Sequence, residues 1–120
     1  MRPHEKLQTW KESVDLVLNV DKLHEPFPKE EKYGLTSQIR RSAVSIPANI
    51  AEGAARRSSK EFSYFVSTAQ GSASELETEL IVAHRLGYLS EMGFSKLIAD
   101  LERIGRMITG LSRRLRQSSD

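Results

Sequence analysis

Residues 38–53, Gln38-Ile39-Arg40-Arg41-Ser42-Ala43-Val44-Ser45-Ile46-Pro47-Ala48-Asn49-Ile50-Ala51-Glu52-Gly53, constrain the fold more than any other stretch of the chain. They read as a helix. Leu35, Ile39, Ala43, Ile46 and Ile50 recur at three- and four-residue steps and form a core stripe. Gln38, Ser42, Ser45, Asn49 and Glu52 run beside it as a polar stripe, and Val44, Ala48, Ala51 and Ala55 cover much of the back. Pro47 sits in the middle of this pattern. An internal proline removes a backbone hydrogen bond and costs about 3 kcal/mol, so it implies a packing or functional reason. It also frees the carbonyl of Ala43, which then needs a donor from a Ser or Asn side chain or a water. The polar stripe has two readings, a hydrogen-bond network that fixes helix register and a ligand groove along the kink. The structural network is the one adopted.

Three more helices follow from periodicity. The first spans Glu5 to His24, with Leu7, Trp10, Val14, Val17 and Leu18 on one stripe and Leu16, Val20 and Leu23 on a second. Pro26 and Pro28 end it. The second, described above, spans Lys29 to Arg56, with a start as late as Thr36 because of Gly34. The third opens on a capping box, with Ser58 as N-cap and Glu61 three residues on. Phe62, Phe65, Val66, Ala69, Ala73, Leu76, Leu80 and Ala83 hold one face, and Gly87 ends the helix. The fourth begins near Ser90 and carries Phe94, Leu97, Leu101, Ile104, Ile108, Leu111 and Leu115 to about Arg116, after which Gln117 to Asp120 fray. Nothing reads as a strand or a repeat. Short connections force antiparallel neighbours, so the expected fold is all-α: an antiparallel up-down-up-down four-helix bundle, helix two containing an internal proline. It fills residues 1–120 as a single domain.

The bulk properties narrow the function classes. With no cysteine, disulfides, thiol chemistry and cysteine-based zinc sites are excluded. Met1 to Lys6 are polar and charged and apolar runs are short, so neither a signal peptide nor a membrane span is expected, and a cytoplasmic location follows. The formal charge of +2 is mild and by itself assigns no partner.

Two further expectations concern assembly and charge. A monomeric bundle helix needs one apolar stripe, whereas helices one and two each carry a second. Leu16, Val20, Leu23, Val44, Ala48 and Ala51 are therefore the expected contact surface of a homo-oligomer. In an up-down bundle the N-terminus, the turn between helices two and three and the C-terminus share one end. That end gathers Arg2, Lys6, Arg56, Arg57, Lys60, Arg113, Arg114 and Arg116, while Glu25, Glu30, Glu31 and Glu91, diluted by Lys29 and Lys32, lie at the other. In a ring of parallel subunits the basic ends add to one rim, which would bind a phosphate backbone through counterion release.

Catalytic and metal motifs fail one after another. No histidine follows a glutamate by three residues, so the di-iron pattern is absent. His84 reads as a core or rim residue; Glu75 and Glu79, one turn apart, could hold a cation, but the reading adopted is a solvated face, with Glu75 open to partnering the polar stripe. There is no Gly-x-Ser-x-Gly elbow and no phosphate-cradling glycine loop. Trp10 and Tyr64 read as packing residues rather than stacking platforms. No metal, cofactor or small-molecule substrate is expected.

The segments Gln38-Ile39-Arg40-Arg41, Ser45-Ile46-Pro47-x-Asn49-Ile50-Ala51-Glu52-Gly53, Glu61-Phe62 and Gly71-Ser72-x-x-Glu75-Leu76-Glu77-Thr78 carry a resemblance. So do Trp10-Lys11-x-Ser13-x-Asp15-Leu16-Val17 and Phe27-Pro28-x-Glu30-Glu31-x-Tyr33-Gly34-Leu35. Over about Trp10 to Leu89 the chain resembles the bacterial four-helix-bundle family, also called the 23S rRNA intervening sequence protein family. The resemblance implies an antiparallel four-helix bundle assembled as a ring, a pentamer, with no established enzymatic activity. Some members are encoded within insertions in large-subunit ribosomal RNA genes. A similar bundle, the accessory protein of diversity-generating retroelements, is a basic pentameric barrel that works with nucleic acid, an analogy of fold alone. The resulting expectation is a non-enzymatic homo-oligomer that binds structured nucleic acid, RNA or DNA, through Arg56, Arg57, Lys60, Arg113, Arg114 and Arg116. Arg40 and Arg41, at mid-helix, are weaker candidates. The alternative is an interaction scaffold with no nucleic-acid role.

Overall fold

A computed structural model describes residues 3–23, 27–31 and 34–117. Four helices, α1 (Gln8–Lys22), α2 (Leu35–Ala54), α3 (Ser59–Arg85) and α4 (Glu91–Arg116), follow one another through short connections. Short 3₁₀ turns at Pro3–Lys6 and Lys29–Glu31 precede α1 and α2. Among the described residues there is no strand. Each helix packs antiparallel to its chain neighbour, and α1 closes the ring against α4. The result is a rod of 48 × 23 × 23 Å. Arg2, His24, Glu25, Pro26, Lys32, Tyr33, Ser118–Asp120 and the side chain of Lys6, which entered the expectations above, lie outside the described residues.

The helix ends follow local chemistry. Ser58 Oγ accepts from the Glu61 N–H at 3.1 Å and Ser90 Oγ from the Gly93 N–H at 3.0 Å, each satisfying an orphan donor of a first turn. At the end of α3, the Gly87 N–H donates to His84 O and the Tyr88 N–H to Ala83 O, with Gly87 at φ +84°. This paired closure needs a left-handed residue, which glycine adopts without penalty. The start of α2 has no side-chain cap from Gly34. Glu31 serves from the preceding turn, its carboxylate accepting from the Leu35 N–H at 3.3 Å and from the Tyr88 hydroxyl at 3.0 Å. One acidic side chain thus ties the α2 start to the α3–α4 turn, where Tyr88 also leans on Phe27.

The core is one stripe per helix. Ile39, Ala43, Ile46 and Ile50 of α2 face Val66, Ala69, Leu76, Leu80 and Ala83 of α3, and Leu97, Leu101, Ile104, Ile108 and Leu111 of α4 complete it. Each such Leu or Ile, fully buried, contributes roughly 1.5–3 kcal/mol of apolar transfer.

Helix α1 departs from the expectation. Its buried face is Thr9, Ser13, Leu16 and Val20, at steps of four, three and four. Leu16 and Val20 are 1% and 2% exposed within a single chain, so they belong to the core and are unavailable to a second copy. Leu23 packs half-buried against the same core. Leu7, Trp10 and Val17 sit on its shoulder, and Leu18 points outward. Two small hydroxyl residues concealed the true stripe. Ser13 enters the core satisfied, because its Oγ donates to Trp10 O at 2.9 Å.

Candidate nucleic-acid interface

The connection between α2 and α3 is a tight turn through Arg56 and Arg57, so these residues lie beside the α3 start. Leu7 and Gln8 at the start of α1 share a cleft with Arg106, Gly110 and Arg114 of α4. The start of α1, the α2–α3 turn and the end of α4 therefore form one end of the rod. Arg57, Lys60, Arg113, Arg114 and Arg116 are exposed there and make no ion pair among the described residues. Arg56 differs. Its guanidinium pairs with Glu52 at 2.6 Å and lies 4.7 Å above the Phe65 ring, which braces the turn. Tyr64 sets its ring edge-on to Phe65 but is itself largely exposed, so it is a surface aromatic rather than a packing residue.

Two clefts flank α4. One, of about 530 Å³ between α3 and α4, is lined by Gln70, Glu102, Gly105, Arg106, Thr109, Gly110 and Arg113. The other, of about 470 Å³ between α1 and α4, is lined on the α4 side by Arg103, Arg106, Met107, Gly110 and Arg114. Arg106 and Gly110 border both. Glycine at 105 and 110 presents no side chain, and that opens the floor of the clefts between arginine walls. Arg106 was missed by reasoning from helix ends. Its spacing was the available signal: Arg103, Arg106, Gly110 and Arg113 or Arg114 follow three- and four-residue steps and share a face. Arg103 is already engaged, by Glu12 at 2.7 Å across to α1 and by Asp100 at 3.3 Å. The Arg103 guanidinium, helped by Gln8, holds the Glu12 carboxyl below the usual carboxylate range.

The polar stripe of α2 divides. Gln38 is exposed, and Glu52 is exposed and committed to Arg56. Ser42 is buried. Ser45 and Asn49 build a relay with α3. Asn49 Nδ2 donates to Ser45 O at 2.8 Å and to Ser45 Oγ at 2.9 Å, Ser45 Oγ lies 2.7 Å from Ser72 Oγ, and Ser72 Oγ donates to Thr68 O at 3.2 Å. Only one proton order fits all of these: amide to Ser45, Ser45 to Ser72, Ser72 to the carbonyl. The Asn49 amide goes to the Ser45 carbonyl, not to the Ala43 carbonyl that Pro47 frees. Arg40 pairs with Asp21 of α1 at 2.6 Å, and Arg41 lies in a groove between α2 and α3.

Elsewhere, His84 stacks on Phe94 at 4.1 Å and meets the Glu91 carboxylate at 2.8 Å, a rim histidine that clasps α3 to α4. Among the described residues no group of three or more His, Asp or Glu side chains is placed to hold a metal. No helix among the described residues is long and apolar enough to cross a membrane.

These features define an antiparallel four-helix bundle with an arginine-walled end. The chain belongs to the 23S rRNA-intervening sequence protein family, whose profile matches residues 5–110. A crystal structure from Bacteroides thetaiotaomicron VPI-5482, described as a protein with unknown function from the S23 ribosomal protein family, shares the fold at a TM-score of 0.80. The two are 24% identical, and the match covers 88% of this chain and 95% of that one. No curated protein matches the chain.

Proposed function

We propose that this protein is a non-enzymatic, cytoplasmic homo-oligomer that binds structured nucleic acid, RNA in the first instance, through the phosphate backbone. The observation that carries the reading is the pair of clefts along α4. Arg106 borders both, Arg113 and Arg114 wall one each, and none of the three has an acidic partner among the described residues. Exposed guanidinium groups in a concave, glycine-floored setting suit phosphate oxygens, which they hold as forked donors. Arg57, Lys60 and Arg116 extend the same charge around the end of the rod.

A ring of copies, five by analogy with related bundles, multiplies this surface. The support for assembly is the outer face of α1 and α2. The Arg40–Asp21 pair fixes the two helices side by side, and one turn further along each lie Val44, 50% exposed, and Leu18, 55% exposed. Ala48 is exposed and Ala51 half-buried on α2, so a second helix would approach closely. A protein scaffold is the second reading, supported by exposed Val82, Leu86 and Met92 towards the opposite end.

The deciding experiment is a salt titration of binding to mixed RNA and DNA probes, with wild type and an Arg106→Ala/Arg113→Ala/Arg114→Ala variant. The slope of log affinity against log salt should become shallower by about 0.7–0.9 for each phosphate that the variant no longer neutralises. Wild type that binds no probe at low salt refutes the nucleic-acid reading and leaves the scaffold.

A further inference from the structure

Tyr64 is a side chain that neither the core nor the α4 clefts account for. It is 67% exposed, on a helix whose other aromatics, Phe62 and Phe65, are half-buried. A loose surface ring would need no explanation. This one is braced. It meets Phe65 edge-on, with centroids 5.2 Å apart and the rings at 90°. Phe65 in turn lies 4.7 Å beneath the Arg56 guanidinium, and Arg56 is tied to Glu52 at 2.6 Å. A chain of four side chains, running from the end of α2 across the turn, thus steadies a ring that faces water. A ring ordered in advance loses less freedom when a ligand lies against it.

Its surroundings are cationic and otherwise small. Lys60, exposed, stands one turn before Tyr64, a spacing that leaves Cβ atoms about 5–6 Å apart. Arg57, also exposed, lies in the turn that precedes the helix, and Glu61 is the one acidic residue of the first turn. On the C-terminal side the exposed neighbours are Ser67, Thr68 and Gly71, none of them large enough to cover the ring. A Cβ built at Gly71 would meet nothing within 4 Å. Side chains on a helix lean towards its N-terminus, so this ring tilts towards Lys60 and the basic end of the rod.

A protein partner would call for a continuous apolar patch around such a ring. The next exposed large apolar side chain on α3 is Val82, about 27 Å farther along the axis. A π-face among cations and small polar groups matches an unpaired nucleotide instead, with the base on the ring and the phosphates on the ammonium and guanidinium groups.

We propose that Tyr64 is a stacking platform for an unpaired base, with Lys60 and Arg57 holding the flanking phosphates, so that the preferred ligand is RNA with a single-stranded loop rather than a continuous duplex. The platform rests on the phosphate-contact reading above and adds to it a base contact that the α4 arginines do not supply.

The test compares two RNA hairpins with the same stem and the same number of phosphates, one with an adenine loop and one abasic at every loop position. Wild type should bind the adenine loop about ten-fold more tightly, within the range that base–aromatic stacking supplies. Tyr64→Ala should bind both hairpins alike, at the wild-type affinity for the abasic one and with an unchanged salt slope. Tyr64→Phe should keep the preference, because the ring face stacks and the hydroxyl does not. In protein labelled with ¹³C in its tyrosine rings, the adenine loop should move the Tyr64 resonance upfield and leave Tyr88, towards the opposite end of the rod, in place. Equal wild-type affinity for the two hairpins, or a preference that survives Tyr64→Ala, overturns the platform and leaves the phosphate reading standing. Wild type that binds neither hairpin at low salt overturns both. A Tyr64 resonance that moves with protein concentration in the absence of RNA, or a lower mass by light scattering in Tyr64→Ala, sets the ring against a second copy and overturns the platform.

Discussion

Replacing Gly53 by alanine should destabilise the fold, although it is a change to a better helix former. Gly53 is buried at the end of α2, where α2 and α3 approach before the turn. A Cβ at this position would meet Phe62 Cδ1 at 2.8 Å, Phe65 Cβ at 2.9 Å and the Phe62 carbonyl oxygen at 3.2 Å. Rotation of the Phe62 ring relieves the first contact. The other two involve a Cβ and a backbone oxygen, which move only if α3 moves. Helix propensity favours alanine by about 1 kcal/mol, whereas overpacking of a tight contact costs about 1–3 kcal/mol. With three contacts this close, the upper half of that range applies, so the net loss is about 1–2 kcal/mol. For a chain of this size that lowers Tm by roughly 4–8 °C. Gly71 and Gly105 are the controls. An added Cβ meets nothing within 4 Å at either, so alanine should stabilise each by about 0.5–1 kcal/mol. Urea unfolding at one fixed protein concentration, with m compared across variants, isolates the effect from assembly. A Gly53→Ala midpoint equal to or above wild type with unchanged m would refute the close-approach argument.

Three other outcomes follow. Ser45→Ala and Ser72→Ala should each cost about 1 kcal/mol, and the double variant clearly less than the sum, because each single change strands the other's partner; a double-mutant cycle in urea reads this. Glu79 has a folded carboxyl raised above 4.5, so the protonated form favours folding; that contribution is complete below 4.5 and is lost as pH rises through the folded value. Glu79→Gln should therefore be more stable than wild type at pH 7, with the advantage vanishing by about pH 4 in thermal melts. Glu12 has the opposite sign: its lowered carboxyl adds stability above 4.5 that fades as pH falls through the folded value. Val44→Asp places a charge on the outer α1–α2 face and should reduce the mass seen by light scattering towards 13.6 kDa without loss of helicity.

The α2 stripe was legible because Ile39, Ala43, Ile46 and Ile50 keep an unbroken apolar series, and the starts of α3 and α4 because a serine hydroxyl marks each. The face of α1 was not, because Thr9 and Ser13 occupy core positions while Leu18 faces out. Periodicity counts apolar residues and cannot know that Ser13 satisfies its own hydroxyl on the preceding turn. The polar stripe was visible on α2, but its partners were not. Ser72 lies 27 residues from Ser45, and Glu79, read as a solvated face, turns its Oε1 into protein. The basic end was read from residues near helix termini, which found Arg113 and Arg114 but missed Arg106 about two turns earlier. Gly53 looked like part of a motif, and only the packing of α2 on α3 reveals why nothing larger fits.

The even number of rods has a practical corollary. The start of α1 and the end of α4 flank the same cationic cap, so a partner, handle or tether attached beside Gln8 or Arg116 would hang over the arginines and shade them. The hairpin at Leu86–Gly87–Tyr88, most of a rod length away, is where a dye or an immobilising linker leaves that cap open to solution.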